Sequence, residues 1–303
     1  MIGYIGFMGT GFFIGVLSGL FGVGGGFLLV PLLNIIFNIP YNIAIGSSLL
    51  QMVGTSIAST LKHKSYGHID YKLAGFILIG SITGVEIGAR ILMFLKNLST
   101  ITVNTYTISK MDFWINIIYI ILLSIVGTTM FLESRKARRR PPQGGVVNTI
   151  FSQKILNINI SPITSLPISS IENISVCYLI LFGFGVGILS GLLGIGGAFI
   201  LNPVLIYLAG VPTSIAIGTS LFQTIFVSGY GALTHLLKGN IDFRLVTCIL
   251  TGSIIGTQIG AKIHKNIRGC QVRYCFAILI FFAAGIVLIK FLFRIGYLGE
   301  QLG

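Results

Sequence analysis

Charge is what this sequence lacks most. No Asp, Glu, Lys, Arg or His precedes Lys62, and no Asp, Glu, Lys or Arg lies between Glu172 and Lys238. Charged residues make up 9% of the chain, whereas soluble domains carry about 25%. With 54% hydrophobic residues, the chain is excluded from the water-soluble classes and is expected to lie in a membrane.

Other absences exclude further classes of protein. The apolar segments hold no nucleophile–base pair, metal cluster or carboxylate pair, so neither an enzyme nor a cofactor is expected. The four cysteines lack metal-ligand spacing. No cleavable signal peptide is evident, because the first apolar stretch has no basic region before it and runs too long. The net charge of +13 does not indicate nucleic-acid binding, because membrane topology accounts for the excess of Lys and Arg.

The apolar residues form long segments that predict membrane helices. About 20 apolar residues span a bilayer, and six segments have an ordinary length for one span. The first segment of each half is too long for one straight helix and is interrupted by glycines. The pattern predicts an all-α polytopic protein of the cell membrane, with about eight hydrophobic segments in two homologous halves of four. The predicted divisions are 1–133 for the first half, 134–175 for a basic cytoplasmic linker and 176–303 for the second half.

The two halves repeat each other. Pro31 matches Pro203 and Asp70 matches Asp242, both at an offset of 172 residues. About half of the positions from Gly15 onward to Arg90 are identical to their partners at this offset. Such self-similarity predicts a duplicated unit.

Two topologies are compatible with this repeat. If each glycine-broken segment crosses the membrane once, the halves are parallel; if it doubles back as a re-entrant hairpin, they are inverted. Both topologies place 13 of the Lys and Arg residues on the linker side and 7 on the other, so both put the linker in the cytoplasm. They differ in the side of the termini. No pattern indicates an oligomeric state.

The glycine clusters are the first candidate substrate-binding residues. Unwound backbone survives at membrane depth only where it faces protein or a watered cavity. A helix that restarts near Phe27 or Phe199 would direct its free N–H groups at that cavity and bind an anion without Lys or Arg. The alternative is close packing of helices through small residues. The candidates are Gly22, Gly24, Gly25, Gly26, Gly194, Gly196 and Gly197.

Neutral polar side chains form the second candidate set. Hydroxyls and carboxamides donate hydrogen bonds without charge, which suits an anion that must bind and then leave. The alternative is hydrogen bonding between helices. The candidates are Ser47, Ser48, Gln51, Thr219, Ser220 and Gln223.

Three ionisable residues are candidates for proton coupling. Glu86 is the one acidic residue deep in an apolar segment, and Arg90 follows one turn later, so a simple ion pair is the alternative role. His63 and His235 end equivalent segments, where the alternative is an interfacial histidine. Asp70 and Asp242 precede segments at positions that predict helix N-caps.

These motifs together support a family resemblance. The chain contains GLFGVGGGFLLVP and GLLGIGGAFILNP, each followed by P…AIG[ST]S, G-x-I-D and G-x-x-x-G-x-x-x-G-A. With them it resembles the TauE/SafE sulfite exporter family of membrane transporters. The resemblance implies a multi-span carrier for small sulfur-containing anions such as sulfite and sulfonates. Asn202 opposite Val30, and Gln258 opposite Glu86, are departures between the two copies.

The expected function is secondary transport of a small anion by alternating access of the two halves. An anion channel and a membrane-embedded assembly factor without transport are the alternatives. The expected partners are the anion and the lipid bilayer, with protons as a candidate coupling ion and no nucleic acid.

Overall fold

A computed structural model of the chain describes residues 2–97, 101–103, 106–108, 110–139, 160–267 and 269–299. Within these residues the fold is a bundle of helices with two short β-hairpins. The first half contains α1 (Ile2–Phe21), α2 (Gly26–Ile36), α3 (Tyr41–Lys64), α4 (Tyr71–Asn97), β1 (Ile101–Val103), β2 (Tyr106–Ile108) and α5 (Lys110–Arg139). The second contains β3 (Ile163–Leu166), β4 (Ile171–Ser175), α6 (Val176–Leu193), α7 (Ala198–Pro203), a π-helical turn (Val204–Leu208), α8 (Thr213–Leu237), α9 (Phe243–Lys265) and α10 (Gly269–Gly299).

Length and apolar composition identify the membrane-spanning helices. Seven of the described helices are long and apolar enough to cross a membrane, namely α3, α4, α5, α6, α8, α9 and α10. The predicted all-α polytopic membrane protein is therefore confirmed.

The first glycine-broken segment doubles back on itself. Helix α1 ends before Gly22, which has a φ of 68°, and α2 begins after Gly25, which has a φ of 88°. Only glycine adopts such left-handed backbone without strain. The ring of Phe37 at the end of α2 lies 4.4 Å from the ring of Phe7 near the start of α1. Helices α1 and α2 therefore form a re-entrant hairpin.

Contacts between the halves define two sides of the bundle. Ser169, in the turn before α6, donates a hydrogen bond to the Asp70 carboxylate at 2.6 Å, and the Asp70 amide donates to Thr219 Oγ1 at 3.0 Å. The starts of α4, α6 and α8 thus lie together, on what we call the linker side. The π-helical turn returns to this side as well, because Ile206 and Thr213 line the same cavity. Helices α6 and α7 with the π-helical turn therefore form a second re-entrant hairpin, which opens to the linker side.

The first hairpin opens to the opposite side. Helix α3 ends on the linker side, directly before Asp70 and the start of α4. Because α3 has 24 residues, its start at Tyr41 and the end of α2 before it lie on the far side, which we call the termini side. The structure thus shows the re-entrant alternative of the two topologies considered above.

Glycines fasten each hairpin to a helix of the other half. Helix α1 packs along α9 and helix α4 packs along α6, and these are the most extensive helix pairs in the described chain. In both pairs glycines recur at every fourth position, so a side chain there would collide with the backbone of the neighbouring helix. The glycines of α1 and α9 are Gly11, Gly15, Gly19, Gly252, Gly256 and Gly260. Those of α4 and α6 are Gly80, Gly84, Gly88, Gly183, Gly187 and Gly191.

Helices α3 and α8 form the centre of the bundle. In each of them 67% of the most apolar window is buried, against 39–44% in the other spanning helices. The two helices run in opposite directions, since Gly46 at the start of α3 meets Asn240 after the end of α8, and Gly218 meets His68. Helices α5 and α10 pack against each other, with Phe131 near Tyr274 at one end.

The predicted linker is described only in part. Helix α5 continues to Arg139, past the predicted boundary at residue 133, and residues 140–159 lie outside the described residues. Strands β3 and β4 form an antiparallel hairpin before α6. Lys72 of α4 donates to the carbonyl of Ser165 at 3.0 Å, so this hairpin covers the linker side of α4.

Candidate functional site

The two short helices α2 and α7 begin at the same point in the centre of the bundle. The rings of Phe27 and Phe199 stack at 4.5 Å with an interplanar angle of 12°, and Phe276 meets both edge-on. The N-caps are Gly25 and Gly197, and neither helix has a side-chain cap. The first N–H groups of a helix have no partner within it, so two helix starts direct uncapped donors toward one region. The structure therefore brings the two glycine clusters together.

We call residues 22–25 and 194–197, which connect the helices of each broken segment, the glycine loops. The side chain of Met52 fills the space between them. A Cβ at Gly24 would lie 2.6 Å from Met52 Cε and 3.4 Å from Thr224 Cγ2, and a Cβ at Gly196 would overlap Met52 Cε. Both glycines have a left-handed φ, 70° and 67°. The glycine loops thus owe their close approach both to backbone conformation and to the absence of side chains. Because Met52 is fully buried, the centre is closed from both sides in this structure.

Two serine hydroxyls near the loops have no hydrogen-bond partner among the described residues. Ser56 Oγ lies 3.6 Å from the position that a Cβ would take at Gly24, and Ser228 Oγ lies 2.8 Å from that position at Gly196. Both side chains are fully buried and both hydroxyls lack a partner. A buried polar group without a partner costs free energy and calls for an explanation such as a ligand or water. Both hydroxyls are therefore available to donate to a ligand between the glycine loops.

Ser48 and Ser220, two of the predicted binding residues, hold the glycine loops in place. Ser48 Oγ donates to the carbonyl of Gly194 at 3.0 Å, and Ser220 Oγ donates to Asn202 Oδ1 at 2.5 Å. Gly22 O also accepts from Ser220, at 3.5 Å. Ser48 thus contacts the loop of the other half directly, Ser220 does so at the longer distance, and the single proton of each hydroxyl has acceptors within the protein.

Ser47 and Thr219 likewise make contacts between the halves. Ser47 Oγ accepts a hydrogen bond from the amide of Asp242 at 3.0 Å, and Thr219 Oγ1 accepts from the amide of Asp70 at the same distance. The Asp242 carboxylate in turn accepts from two amides at the start of α9, and Asp70 does the same for Leu73. These residues act in helix capping, so both Asp residues have the predicted N-cap role.

The two predicted glutamines donate to serines rather than standing free. Gln51 Nε2 donates to Ser253 Oγ at 2.9 Å, and Gln223 Nε2 donates to Ser81 Oγ at 2.6 Å. Their Oε1 atoms are buried without a donor among the described residues. Part of the donor capacity expected for an anion is thus used between helices, and each carboxamide keeps an open acceptor.

Glu86 lies away from the glycine loops. Its Oε1 accepts from Arg90 Nε at 2.8 Å, and its Oε2 accepts from Tyr230 Oη at 3.2 Å. The Glu86 side chain is 31% exposed and that of Arg90 is 74% exposed, so this ion pair lies at the outer surface of the bundle. A coupling role for Glu86 stays a prediction.

The two predicted histidines lie near opposite ends of the central helices. His63 and His235 are fully buried, beside the backbone of Gly19 and Gly191 respectively. The ring of His63 also lies 5.3 Å from that of His264 and 5.7 Å from that of His68. The second half has no such cluster among the described residues, because Asn240 occupies the position equivalent to His68. Their role in coupling likewise stays a prediction.

The structure adds residues that sequence reasoning missed. Met52, Ser56 and Ser228 contact the glycine loops, yet none was among the predicted site residues. The signal for the serines was present, because Ser56 and Ser228 are identical at the repeat offset of 172. Met52 has no such signal, since Thr224 is its equivalent. No group of three or more metal-ligating side chains with suitable geometry occurs among the described residues.

Comparisons with known proteins agree with this architecture. The chain is 26% identical over 286 residues to the probable membrane transporter protein YunE of Bacillus subtilis, covering 87% of this chain and 95% of that protein. It is 28% identical over 278 residues to the probable membrane transporter protein MJ0441 of Methanocaldococcus jannaschii, covering 87% of each chain. No solved structure shows significant similarity to the chain.

A family profile matches nearly the whole chain. The profile described as sulfite exporter TauE/SafE matches residues 7–287, which include both re-entrant hairpins and all seven spanning helices in whole or in part. This chain is therefore a multi-pass membrane transporter that belongs to the TauE/SafE sulfite exporter family.

Proposed function

We propose that this protein is a secondary transporter of small anions that binds its substrate between the two glycine loops. The observation that carries the proposal is the meeting of two uncapped helix starts, marked by the stacked rings of Phe27 and Phe199. Backbone N–H groups and helix dipoles bind an anion there without a Lys or Arg side chain. Binding by neutral donors is weak enough to allow release, as a transporter requires.

The substrate class follows from the size and chemistry of the site. Ser56 and Ser228 supply two hydroxyl donors, and Met52 leaves room only when its flexible side chain moves aside. A compact anion with several oxygen acceptors fits such a site, and the family description names sulfite. We propose sulfite or a small organosulfonate as the substrate.

The transport mechanism is alternating access of two inverted repeats. The first hairpin opens to the termini side and the second to the linker side, and equivalent contacts recur at an offset of 172 residues. An inverted pair of this kind can exchange conformations between its halves and so open a central site to each side in turn. In the structure described here the centre is closed on both sides, which corresponds to an occluded state. The positive-inside rule places the basic linker in the cytoplasm and the termini outside.

Coupling to protons is a separate element of the proposal. His63 and His235 end the central helices on opposite sides, and Glu86 ion-pairs with Arg90 on the outer surface. A histidine near each end of the pathway can exchange a proton with the solution when that side opens. Glu86 has Gln258 as its equivalent, so its contribution to coupling would belong to one half alone.

Counterflow in proteoliposomes tests the proposal. Vesicles that contain the purified protein are loaded with unlabelled sulfite and diluted into labelled sulfite, with taurine, sulfoacetate and sulfate as competitors. A carrier gives accelerated exchange that a subset of the competitors inhibits. An anion channel gives flux without counterflow, and an assembly factor gives neither; either result from demonstrably folded protein would overturn the proposal.

A further inference from the structure

The second half contains a buried arginine that the central site does not use. Arg273, near the start of α10, is 3% exposed and lines a small cavity with Asn202, Thr213 and Met130. The cavity, which we call the Arg273 cavity, has room for about one water molecule in this structure. It lies on the linker side, beside Phe21 at the end of α1.

The charge of Arg273 is not balanced by an ion pair among the described residues. Its Nη1 donates to Thr213 Oγ1 at 2.6 Å, and its Nε is buried without an acceptor. Glu133 shares with Arg273 the electrostatic surroundings of Tyr207, but no ion pair joins Glu133 to Arg273. A guanidinium that extends toward the lipid headgroups would be exposed on the protein surface, whereas this one is enclosed by protein. A buried cation of this kind is stabilised by an anion that binds to it.

In the equivalent place of the first half, the described side chains in contact are uncharged. Phe276 of α10 packs on Phe21, and Tyr119 of α5 donates to the carbonyl of Leu193, which follows Phe21 by the repeat offset of 172. Arg273 lies three residues before Phe276, and Asn116 lies three residues before Tyr119. Asn116 is therefore the counterpart of Arg273.

The two positions make equivalent contacts with different chemistry. Asn116 Oδ1 accepts from Tyr41 Oη at 2.7 Å, and Tyr41 is the equivalent of Thr213. In the first half a tyrosine ring fills the space and pairs with a neutral amide. In the second half a small threonine leaves the space open beside a guanidinium.

The Arg273 cavity adjoins the first glycine loop. Asn202, which lines the cavity, donates from Nδ2 to the carbonyls of Phe21 and Gly22 at 3.1 and 3.0 Å. Its equivalent in the first half is Val30, which lacks any donor. An anion at Arg273 is therefore one side chain away from the backbone that leads into the centre.

We propose that the Arg273 cavity is an accessory binding site for a small oxyanion on the linker side, through which substrate passes between the cytoplasm and the glycine loops. Arg273 supplies charge-assisted hydrogen bonds from Nε and its terminal nitrogens, and Thr213 supplies a hydroxyl. Met130, a flexible side chain, moves aside to admit the ion. This inference rests on the proposed anion transport, and it makes the two ends of the pathway chemically different.

The test exchanges the second-half residues for those of the first half. The double variant Arg273→Asn with Thr213→Tyr restores the neutral pair and fills the cavity, which protects folding. Arg273→Lys keeps the charge, and Arg244→Asn removes a charge from an exposed position on the termini side. The measurement is the KM for labelled sulfite, presented to the linker side of oriented protein in neutral-lipid vesicles. Sulfite presented to the termini side gives the comparison.

We expect the double variant to raise the linker-side KM at least 10-fold, with a smaller change on the termini side. Arg273→Lys should raise it less, and Arg244→Asn should leave it unchanged. Equal KM values in the wild type and the double variant would overturn the inference. So would a difference that appears only with phosphatidylglycerol in the vesicles, because the cavity would then hold a lipid headgroup. If the wild type exchanges none of the tested anions, it is the proposed function that fails instead.

Discussion

The two halves of the chain share a framework but differ in the side chains around the glycine loops and the Arg273 cavity. Ser47 and Thr219 accept from equivalent amides, and Gln51 and Gln223 donate to equivalent serines. These matched contacts join one half to the other. Each kind of contact occurs twice, once in each direction between the halves. The shared residues therefore explain how the halves fit together.

The differences lie at the central loops, at the Arg273 cavity and beyond the ends of the central helices. Met52 contacts the Cβ positions of both Gly24 and Gly196, whereas its equivalent Thr224 contacts that of Gly24, through Cγ2. The polar pair of Arg273 and Thr213 replaces a neutral pair in the first half, and Asn240 replaces His68. The comparison teaches that matched contacts between the halves form the framework, while differences at a few positions give the two sides of the bundle different chemistry.

The largest effect is expected from a methyl group in the glycine loops. Gly24→Ala and Gly196→Ala each place a Cβ against Met52, in a backbone conformation that costs a non-glycine residue about 1–2 kcal/mol. We expect sulfite exchange to fall more than 10-fold, measured in proteoliposomes at matched protein content.

Two other glycines provide the control for backbone strain. Gly67 and Gly239 have φ values of 69° and 68°, but a Cβ at either position would have nothing within 4 Å. Gly67→Ala and Gly239→Ala should therefore lower the melting temperature through backbone strain, and both variants should exchange sulfite as the wild type does. If they lose exchange as completely as Gly24→Ala, contact with Met52 is not the cause.

A smaller effect is expected from the free hydroxyls, and it separates binding from folding. Ser56→Ala and Ser228→Ala remove groups that have no partner among the described residues, so thermal stability should stay within error. If both hydroxyls bind substrate, each variant should weaken sulfite binding about 10-fold, which corresponds to roughly 1.4 kcal/mol.

The bonded hydroxyl of Ser220 gives the opposite pattern. Ser220→Ala leaves Asn202 Oδ1 buried without its donor, which should lower the free energy of unfolding by about 1–3 kcal/mol. Thermal unfolding in detergent and equilibrium binding of labelled sulfite, measured on the same preparations, distinguish the two classes. Unchanged binding in both Ser56→Ala and Ser228→Ala would remove these residues from the proposed site.

The smallest effect concerns the histidine cluster of the first half. Burial lowers the pKa of His68 below its ordinary value of about 6.5, and His63, His264 and Tyr66 face it. The unfolded chain therefore binds a proton more readily than the folded one, so His68 makes stability fall as the pH drops below about 6.5. His68→Asn, which installs the second-half residue, should reduce the loss of melting temperature between pH 7.5 and 5.5.

Lys64→Asn is the matched control, since it removes a neighbouring exposed charge without changing the buried cluster. Its pH dependence should equal that of the wild type. Identical pH dependence in His68→Asn and the wild type would show that His68 does not contribute.

Much of the fold was predictable because the bilayer favours helices in apolar segments and because small residues at regular spacing mark helix contacts. In long uncharged segments such as 1–61, a helix satisfies the backbone hydrogen bonds within the segment, as a bilayer requires. The glycine clusters and the G-x-x-x-G pattern indicated where helices break and where they pack. The sequence could not distinguish the parallel from the inverted arrangement. The Arg-rich linker dominates the count of basic residues on each side of the membrane in both.

The candidate site was predictable only in its backbone. Glycines are recognisable in a sequence because their conformational freedom is intrinsic to the residue, and Gly24 and Gly196 lie at the centre. Whether a hydroxyl is free depends on partners distant in sequence. Ser48 and Ser56 look alike in the chain, yet Ser48 reaches Gly194 across 146 residues, whereas Ser56 reaches no acceptor in the part of the chain that the structure describes.

The glycine-lined faces of α1 and α4 impose an order on biogenesis. Their partners, α9 and α6, belong to the second half, so a ribosome that has released only the first half has delivered two helices whose flat faces meet lipid. Close backbone contacts that depend on missing side chains form only when the partner arrives. We therefore expect the first half to complete its packing only after the second half has been inserted, and a chain truncated after the first half should lack both of these helix pairs.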